Sequence, residues 1–505
     1  MNNSSRVALN TIAQYIKTFF NILFTLYATR VILETLGDDD FGIYTLIAGV
    51  VAMLSFITNA LSTTTQRYLS YNQGKGDLKI VTTVFCNSLV IHIIIGLLLS
   101  ILLLALTPFL YNGILNIPVE RIESSKIVYY WVVFMLFVTF ITTPYRACLI
   151  SHENIVYLSI IDFLDGLFKV IIAIMLTHIH SDKLVSYAMM MFLIQLFNFL
   201  AISIYAFIKY EECIFPRISL ISRSIVREMG SFAGWNVYSM GCVIGRTQGV
   251  AIALNHFLGA AINTAYGLGF QISGYINFLS ESLLNALRPQ IMKSEGCGDR
   301  KKMLLLSEFA SKYSFFLLSI LAIPCIAEMP SLLHLWLGKI PDNAILFCRM
   351  VMLAALMDSL TIGLISANQA IGNVKTYSLV VNTIKLLTLP FVIVCLFLKT
   401  DIVFVAVLYV SFEFLCAMTR LPFLSKYGGL DISHFVNNVF CKLIVPLLCV
   451  IVLNILCVYF SDFEYRFLLT FLVTFLIYPL LFYRFSMSKD ERLLVINMVK
   501  KILRK

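Results

Sequence analysis

The stretch Leu36–Lys79, LGDDDFGIYTLIAGVVAMLSFITNALSTTTQRYLSYNQGKGDLK, returns without a gap 222 positions downstream as Leu258–Lys301, LGAAINTAYGLGFQISGYINFLSESLLNALRPQIMKSEGCGDRK. Leu36, Gly37, Tyr44, Leu46, Phe56, Leu61, Gly74, Gly76, Asp77 and Lys79 meet Leu258, Gly259, Tyr266, Leu268, Phe278, Leu283, Gly296, Gly298, Asp299 and Lys301. A recurrence of this length marks an internal duplication. In membrane transporters, duplication places the working site between the repeats, near the bilayer midplane.

Composition agrees with a membrane setting. Hydrophobic residues make up 59% of the chain and charged residues 13%, and the mean hydropathy is +0.88, outside the range of soluble domains. Apolar runs of about 20 residues, each long enough to cross the hydrocarbon core, recur about fourteen times. They fall near residues 9–33, 41–63, 82–108, 127–149, 155–177, 184–208, 231–255, 262–287, 308–329, 344–367, 376–398, 402–422, 441–460 and 463–483. The expected fold is an all-α polytopic bundle. Residues 1–208 and 231–424 form two six-helix halves joined by a cytoplasmic linker at 209–230. Two additional helices occupy 425–483, and a basic amphipathic tail at 484–505 lies on the inner leaflet. An even number of helices per repeat makes the repeats parallel. Lys17 interrupts the first apolar run, so the N-terminus is expected to be retained rather than cleaved as a signal peptide.

The net charge of +10 follows topology. With a cytoplasmic N-terminus and alternating helices, most of the Lys and Arg fall in inner segments, which also places the C-terminus in the cytoplasm. No basic, aromatic folded module is present to bind nucleic acid. The chain has no G-x-x-x-x-G-K-[ST] loop for nucleotide hydrolysis, and no H-E-x-x-H or nucleophile elbow. The twelve cysteines stand singly, with no C-x-x-C spacing, and read as small hydrophobes of a bundle rather than metal ligands. No catalytic residue, metal or cofactor is expected. Energy would come from an ion gradient or the membrane potential.

Ionisable residues inside the spans are the candidates for function, because a charge at mid-bilayer is costly and must face protein or water. Arg30, Arg246 and Lys385 lie within spans, with Arg146 and Arg288 near inner ends. A guanidinium fork matches a pair of phosphate or carboxylate oxygens, so gathered cations point to an anionic cargo. Each has a plainer reading. Arg30 can pair with Glu34 and Lys169 with Asp165, one turn away on the same helix, and Arg146 serves equally as a topogenic charge. Arg246 has no acid within a turn of its own helix. Asp162, Asp165, Glu281, Asp358 and Glu413 are the acids within spans that could carry coupling protons or ions, Glu281, Asp162 and Asp358 being the candidates for ion coupling, with structural pairing the default for each. The Gly-x-Gly-Asp pairs at Gly74–Asp77 and Gly296–Asp299 read as tight turns that end one helix and start the next.

Ala28, Thr29 and Arg30 followed by Leu36, Gly37, Phe41, Gly42, Ile43 and Tyr44, then Pro144, Ala147, Ser151, His152 and Glu153, with Ala367, Asn368 and Gln369 at the equivalent place in the second half, resemble the polysaccharide or O-antigen flippases of the multidrug/oligosaccharidyl-lipid/polysaccharide (MOP) exporter superfamily. The resemblance covers nearly the whole chain. It implies a bacterial inner-membrane flippase with V-shaped, MATE-like bundles. Such a protein would translocate an undecaprenyl-pyrophosphate-linked oligosaccharide for O-antigen, capsule or other surface polysaccharide by alternating access. Polysaccharide polymerase and chain-length proteins would be its partners. On this reading Arg30, Arg246 and Lys385 contact the anionic headgroup, with Arg146 and Arg288 at the cytoplasmic entrance. Two relatives in the superfamily remain open, a multidrug cation antiporter, whose cavity would display acids, and a lipid II flippase. A membrane polymerase or ligase fits less well, because the outer loops are short.

Overall fold

A computed structural model describes residues 3–111, 117–337, 340–460, 465–489 and 491–493. The described residues are helical with no strand. The chain divides into two compact units, the first comprising Met1–Met240 with Met292–Gly298 and the second Gly241–Ile291 with Asp299–Lys505.

The first unit is built from α1 (Asn3–Ala52), α2 (Ser55–Lys75), α3 (Leu78–Phe109), α4 (Ile122–Ser151), α5 (Ile155–Leu176), α6 (Lys183–Lys209) and the opening turns of α7 (Arg223–Leu258). Its core gathers Ile47, Val128, Tyr129, Val133 and Phe140, with Ala233 from α7. Phe232 and Asn236 of α7 also reach α2, Phe232 edge-on to Tyr68 and Asn236 Nδ2 donating to Thr64 Oγ1 at 3.3 Å. These contacts carry the first unit past the polar linker expected at 209–230, as far as Met240.

The second unit holds the rest of α7, most of α8 (Ala260–Gly296), α9 (Arg300–Ala327), α10 (Met329–Leu337), α11 (Ala344–Ser359), α12 (Ile362–Ile371), α13 (Val374–Tyr377), α14 (Thr383–Phe397), α15 (Ile402–Gly428), α16 (Ile432–Phe435), α17 (Lys442–Phe460) and α18 (Arg466–Leu481). The last two helices pack on α9 through Ile320, Ile323, Val450 and Tyr478. The tail expected at 484–505 lies largely outside the described residues.

The duplication reappears as backbone geometry. Gly37 and Gly259 both take positive φ, 78° and 90°, and so do Gly76 and Gly298, at 76° and 79°. This left-handed region is where glycine avoids the strain a side chain would bring. Asp77 caps α3 by accepting from the Lys79 and Ile80 amides, and Asp299 caps α9 by accepting from the Lys302 amide. These side chains satisfy donors left open at a helix start. The first glycine of each Gly-x-Gly has a different job, because a Cβ on Gly74 would stand 2.3 Å from the Lys293 carbonyl oxygen and one on Gly296 2.0 Å from that of Tyr71. The end of α2 and residues 292–298 thus meet backbone to backbone.

Nine described helices are long and apolar enough to cross a membrane, or ten when α11 and α12, bent by 46° at their break, are taken as one span. Of the other spans expected from sequence, those near 155–177, 231–255 and 262–287 are helical but too polar for that test, α5 because it carries Asp162, Asp165 and Lys169. The span expected at 41–63 is interrupted at Met53–Leu54, where the Leu54 amide turns to the Val51 carbonyl at 3.0 Å, the tighter i−3 pattern that interrupts an α-helix.

Candidate functional site

In the second unit, α7 passes close to α14 because its glycines leave room. A Cβ at Gly245 would lie 3.1 Å from Leu386 Cδ1, and one at Gly249 2.5 Å from Leu389 Cδ2. Small residues at such a crossing let helix backbones approach within a bilayer. Arg246, between these glycines, is 6% exposed. Its Nη1 donates to Glu413 Oε2 of α15, and its guanidinium lies 4.7 Å above the Tyr409 ring, one turn earlier on α15, a cation–π contact.

Glu413 is shared. Its other oxygen lies 2.7 Å from Lys385 Nζ on α14, and the same ammonium reaches Asp358 Oδ1 at 3.2 Å. Asp358 stands at the end of α11, where the chain breaks before α12. Arg420 of α15 braces that break, with Nη2 2.5 Å from Asp358 Oδ1 and Nη1 donating to the Asp358 carbonyl at 3.1 Å and to Thr361 Oγ1 at 3.2 Å. The Asp358 carbonyl, which also accepts from the Thr361 amide at 3.4 Å, thereby gains a charged donor at the break. The chain of charge therefore runs Arg246, Glu413, Lys385, Asp358, Arg420, with three cations on two carboxylates. Arg246 Nε has no hydrogen-bond partner among the described residues. Buried charges persist only when paired and hydrogen-bonded. Every charge in this network is paired, although Glu413 Oε1 and Arg420 Nε also lack a hydrogen-bond partner among the described residues, and the network keeps a surplus of positive charge.

The structure brings together Arg246, Lys385 and Asp358 of the residues singled out in the sequence. In the first unit it joins Arg146 and Asp162, Arg146 Nη2 lying 2.6 Å from Asp162 Oδ2 with Lys17 Nζ at 3.1 Å from the same oxygen. Lys169 pairs with Asp165 at 2.6 Å. Arg30 stands apart, its side chain 80% exposed and paired with Glu34 at 3.0 Å. Arg288 and Glu281 share α8 without a hydrogen bond between them, and Arg288 Nε has no partner among the described residues. Sequence reasoning singled out Glu413 as an acid within a span and Arg420 as an arginine near an inner end without joining them to this network, and it missed the roles of Tyr409 and Lys17. One signal was available, since Tyr409, Glu413 and Arg420 recur at spacings of four and seven, which puts them on one stripe of a helix.

This architecture is the fold of the MATE transporters. A MATE in its bent conformation superposes with a TM-score of 0.73 at 13% identity, over 86% of this chain and 97% of that one. The MATE transporter ClbM, solved in complex with Rb+, gives 0.71 at 17% identity over 84% and 97%. A MOP superfamily transporter from Pyrococcus furiosus gives 0.72 at 13% identity over 86% and 97%, and is described as having a binding pocket of reverse polarity that suggests a different function. These solved neighbours are transporters, not enzymes. In sequence, the chain is 21% identical over 337 residues to the uncharacterized membrane protein EpsK of Bacillus subtilis. That match spans 66% of this chain and 66% of the relative, just under two thirds of its length. No family model matches the chain.

Proposed function

We propose that this protein is a secondary exporter that moves an undecaprenyl-pyrophosphate-linked oligosaccharide from the inner to the outer leaflet of a bacterial inner membrane, for surface polysaccharide such as O-antigen or capsule. The observation that carries this reading is the surplus of positive charge buried in the second unit, where Arg246, Lys385 and Arg420 share Glu413 and Asp358. A pyrophosphate reaching Arg246 would compete with Glu413 for a guanidinium whose fork fits a pair of phosphate oxygens. The MATE fold supports transport by alternating access, driven by an ion gradient or the membrane potential without a bound cofactor. Asp358, Asp162 and Glu281 are the acids through which an ion could couple. Arg146 and Arg288 would serve the cytoplasmic entrance and Arg30 the outer end, with both termini in the cytoplasm and polysaccharide polymerase and chain-length proteins as partners.

A second reading has its own observation. Two carboxylates inside the network are what a multidrug cation antiporter would titrate. Lipid II is a third cargo compatible with the same charge. Gene deletion with complementation separates them. Inner-leaflet accumulation of an undecaprenyl-linked repeat, rescued by wild type but not by the double variant Arg246→Gln/Glu413→Gln at equal expression, supports the proposed cargo. Intact polysaccharide with altered drug sensitivity overturns it in favour of the antiporter, and arrested peptidoglycan synthesis overturns it in favour of lipid II.

A further inference from the structure

The cysteines that stand singly in the sequence do not all stand singly in space. At the inner end of α4, Cys148 and His152 are four residues apart and share one face. The two consecutive residues Glu212 and Cys213, in the segment after α6, fold back against that face. Cys148 Sγ, His152 Nε2 and a Glu212 oxygen all lie within 4.8 Å of one another. Cys213 Sγ is 3.4 Å from Cys148 Sγ, Cys148 Sγ is 3.7 Å from Glu212 Oε1, and His152 Nε2 is 2.5 Å from that oxygen. The imidazole is held by stacking on Tyr210, centroids 4.0 Å apart at 11°, and the Gln73 amide nitrogen reaches both the ring, at 2.9 Å, and the carboxylate, at 3.3 Å.

We propose that Cys148, His152, Glu212 and Cys213 form a binding site for a soft divalent cation of tetrahedral preference, zinc first, that fastens the segment after α6 to the end of α4. Two thiolates, one imidazole and one carboxylate are a donor set that suits zinc. Metal–sulfur bonds of about 2.3 Å and metal–nitrogen or metal–oxygen bonds of about 2.0–2.2 Å set donor-to-donor spacings of about 3.3–3.8 Å in a tetrahedron. The Cys148–Glu212 contact already matches, whereas the two sulfurs must part by about 0.4 Å and Cys213, which lies outside the trio of Cys148, His152 and Glu212, must move in to complete the set. The contact between ring and carboxylate must open by about 1 Å, and the proton it shares leaves as the ion enters. Cys148, Glu212 and Cys213 are buried, while the His152 side chain is 30% exposed and offers the way in. With this end of α4 in the cytoplasm, as the proposed topology has it, the thiols stay reduced and available. The site lies wholly in the first unit and does not depend on the cargo.

The test uses the full chain in detergent with reductant, stripped by chelator and titrated with zinc chloride against a competing chromophoric chelator, with magnesium chloride as the hard-cation control. One zinc per chain, a rise in melting temperature with zinc but not magnesium, and affinity about 100-fold or more weaker in Cys148→Ser/Cys213→Ser would support the site. His152→Gln keeps both thiols and should also weaken zinc, read as a smaller zinc-induced rise over its own metal-free melting temperature, so it decides the matter should the double variant fail to fold. No zinc uptake by wild type, equal uptake by the variants, or a Cys148–Cys213 disulfide that survives the reductant would overturn the proposal.

Discussion

In the first unit, Asp162 accepts two cations, Lys17 and Arg146, whose side chains are 24% and 37% exposed. In the second, Glu413 and Asp358 hold three cations, of which Arg246 and Arg420 are 7% and 2% exposed. The duplicated backbone has kept its turns in both copies, yet the ionisable side chains form one loose cluster and one network sealed around its arginines, with Asp358 remaining 25% exposed. The difference teaches that turn geometry and buried charge are inherited separately. A turn needs one glycine or one cap. A buried network needs partners from several helices that change together, because a lone survivor is an unpaired charge in a dry interior.

The comparison would break most visibly at Glu413. Glu413→Ala leaves Arg246 and Lys385 facing each other across the lost carboxylate, and a loss of about 3–5 kcal/mol in thermal or denaturant unfolding is expected. A smaller loss than from Asp162→Ala would contradict the sealed and loose assignments. Next, Gly296→Ala should cost about 1–3 kcal/mol, as an overpacked contact does, and Gly74→Ala about the same, since each new Cβ meets a carbonyl oxygen. Substituting Gly42, where a Cβ has open space around it, is the control and should change the melting temperature little. Asp162→Asn is expected to cost about 1.5 kcal/mol, the value of a charged hydrogen bond, and to shift the melting temperature less than Glu413→Gln does.

The smallest effect belongs to the charged cluster at the start of α6 in the first unit. There Arg121 pairs with Asp40 and, at 3.2 Å, with Asp182, which also accepts from Ser124 Oγ at 2.6 Å. Burial works against the Asp182 carboxylate, but Ser124, the amides of Val185 and Leu184 and the Arg121 charge outweigh it and hold its carboxyl below the usual aspartate range. A carboxyl depressed by folding stabilises above its unfolded pKa, about 3.9, and loses that contribution as pH falls through the lower folded value. Asp182→Asn should therefore lower stability by about 0–1 kcal/mol at neutral pH and flatten the acid limb of the melting curve. An unchanged acid limb would remove Asp182 from the balance.

What the sequence disclosed follows the range of the interactions. Gly76–Asp77 and Gly298–Asp299 were legible as turns, because a side-chain cap acts within a few residues, whereas Gly37 and Gly259 showed only as matched positions of the recurrence. The pairings Arg30–Glu34 and Lys169–Asp165 were legible for the same reason, each being one turn along a single helix. Arg246 was legible as a residue in need of a partner, but its partner Glu413 lies 167 positions away. Nothing in the local pattern of α7 selects that acid over Asp358. The meeting of Cys148 with Cys213 was hidden for a similar reason. Periodicity describes a face of one helix, and which segment returns to cover that face is settled only by packing.

The contact between the Gly74 turn and the Gly296 turn also constrains how the two copies can diverge. Each glycine is small because the other copy's backbone fills the space where its side chain would be, Lys293 against Gly74 and Tyr71 against Gly296. A substitution at either site cannot be compensated by shrinking a neighbouring side chain, since the obstacle is main chain in both cases. A substitution in one segment at this point therefore has to suit the main chain of the other. Recombination that replaces one copy with a diverged homologue succeeds only when it brings a matching glycine and the same carbonyl path, and this junction decides which chimeras of the two repeats fold.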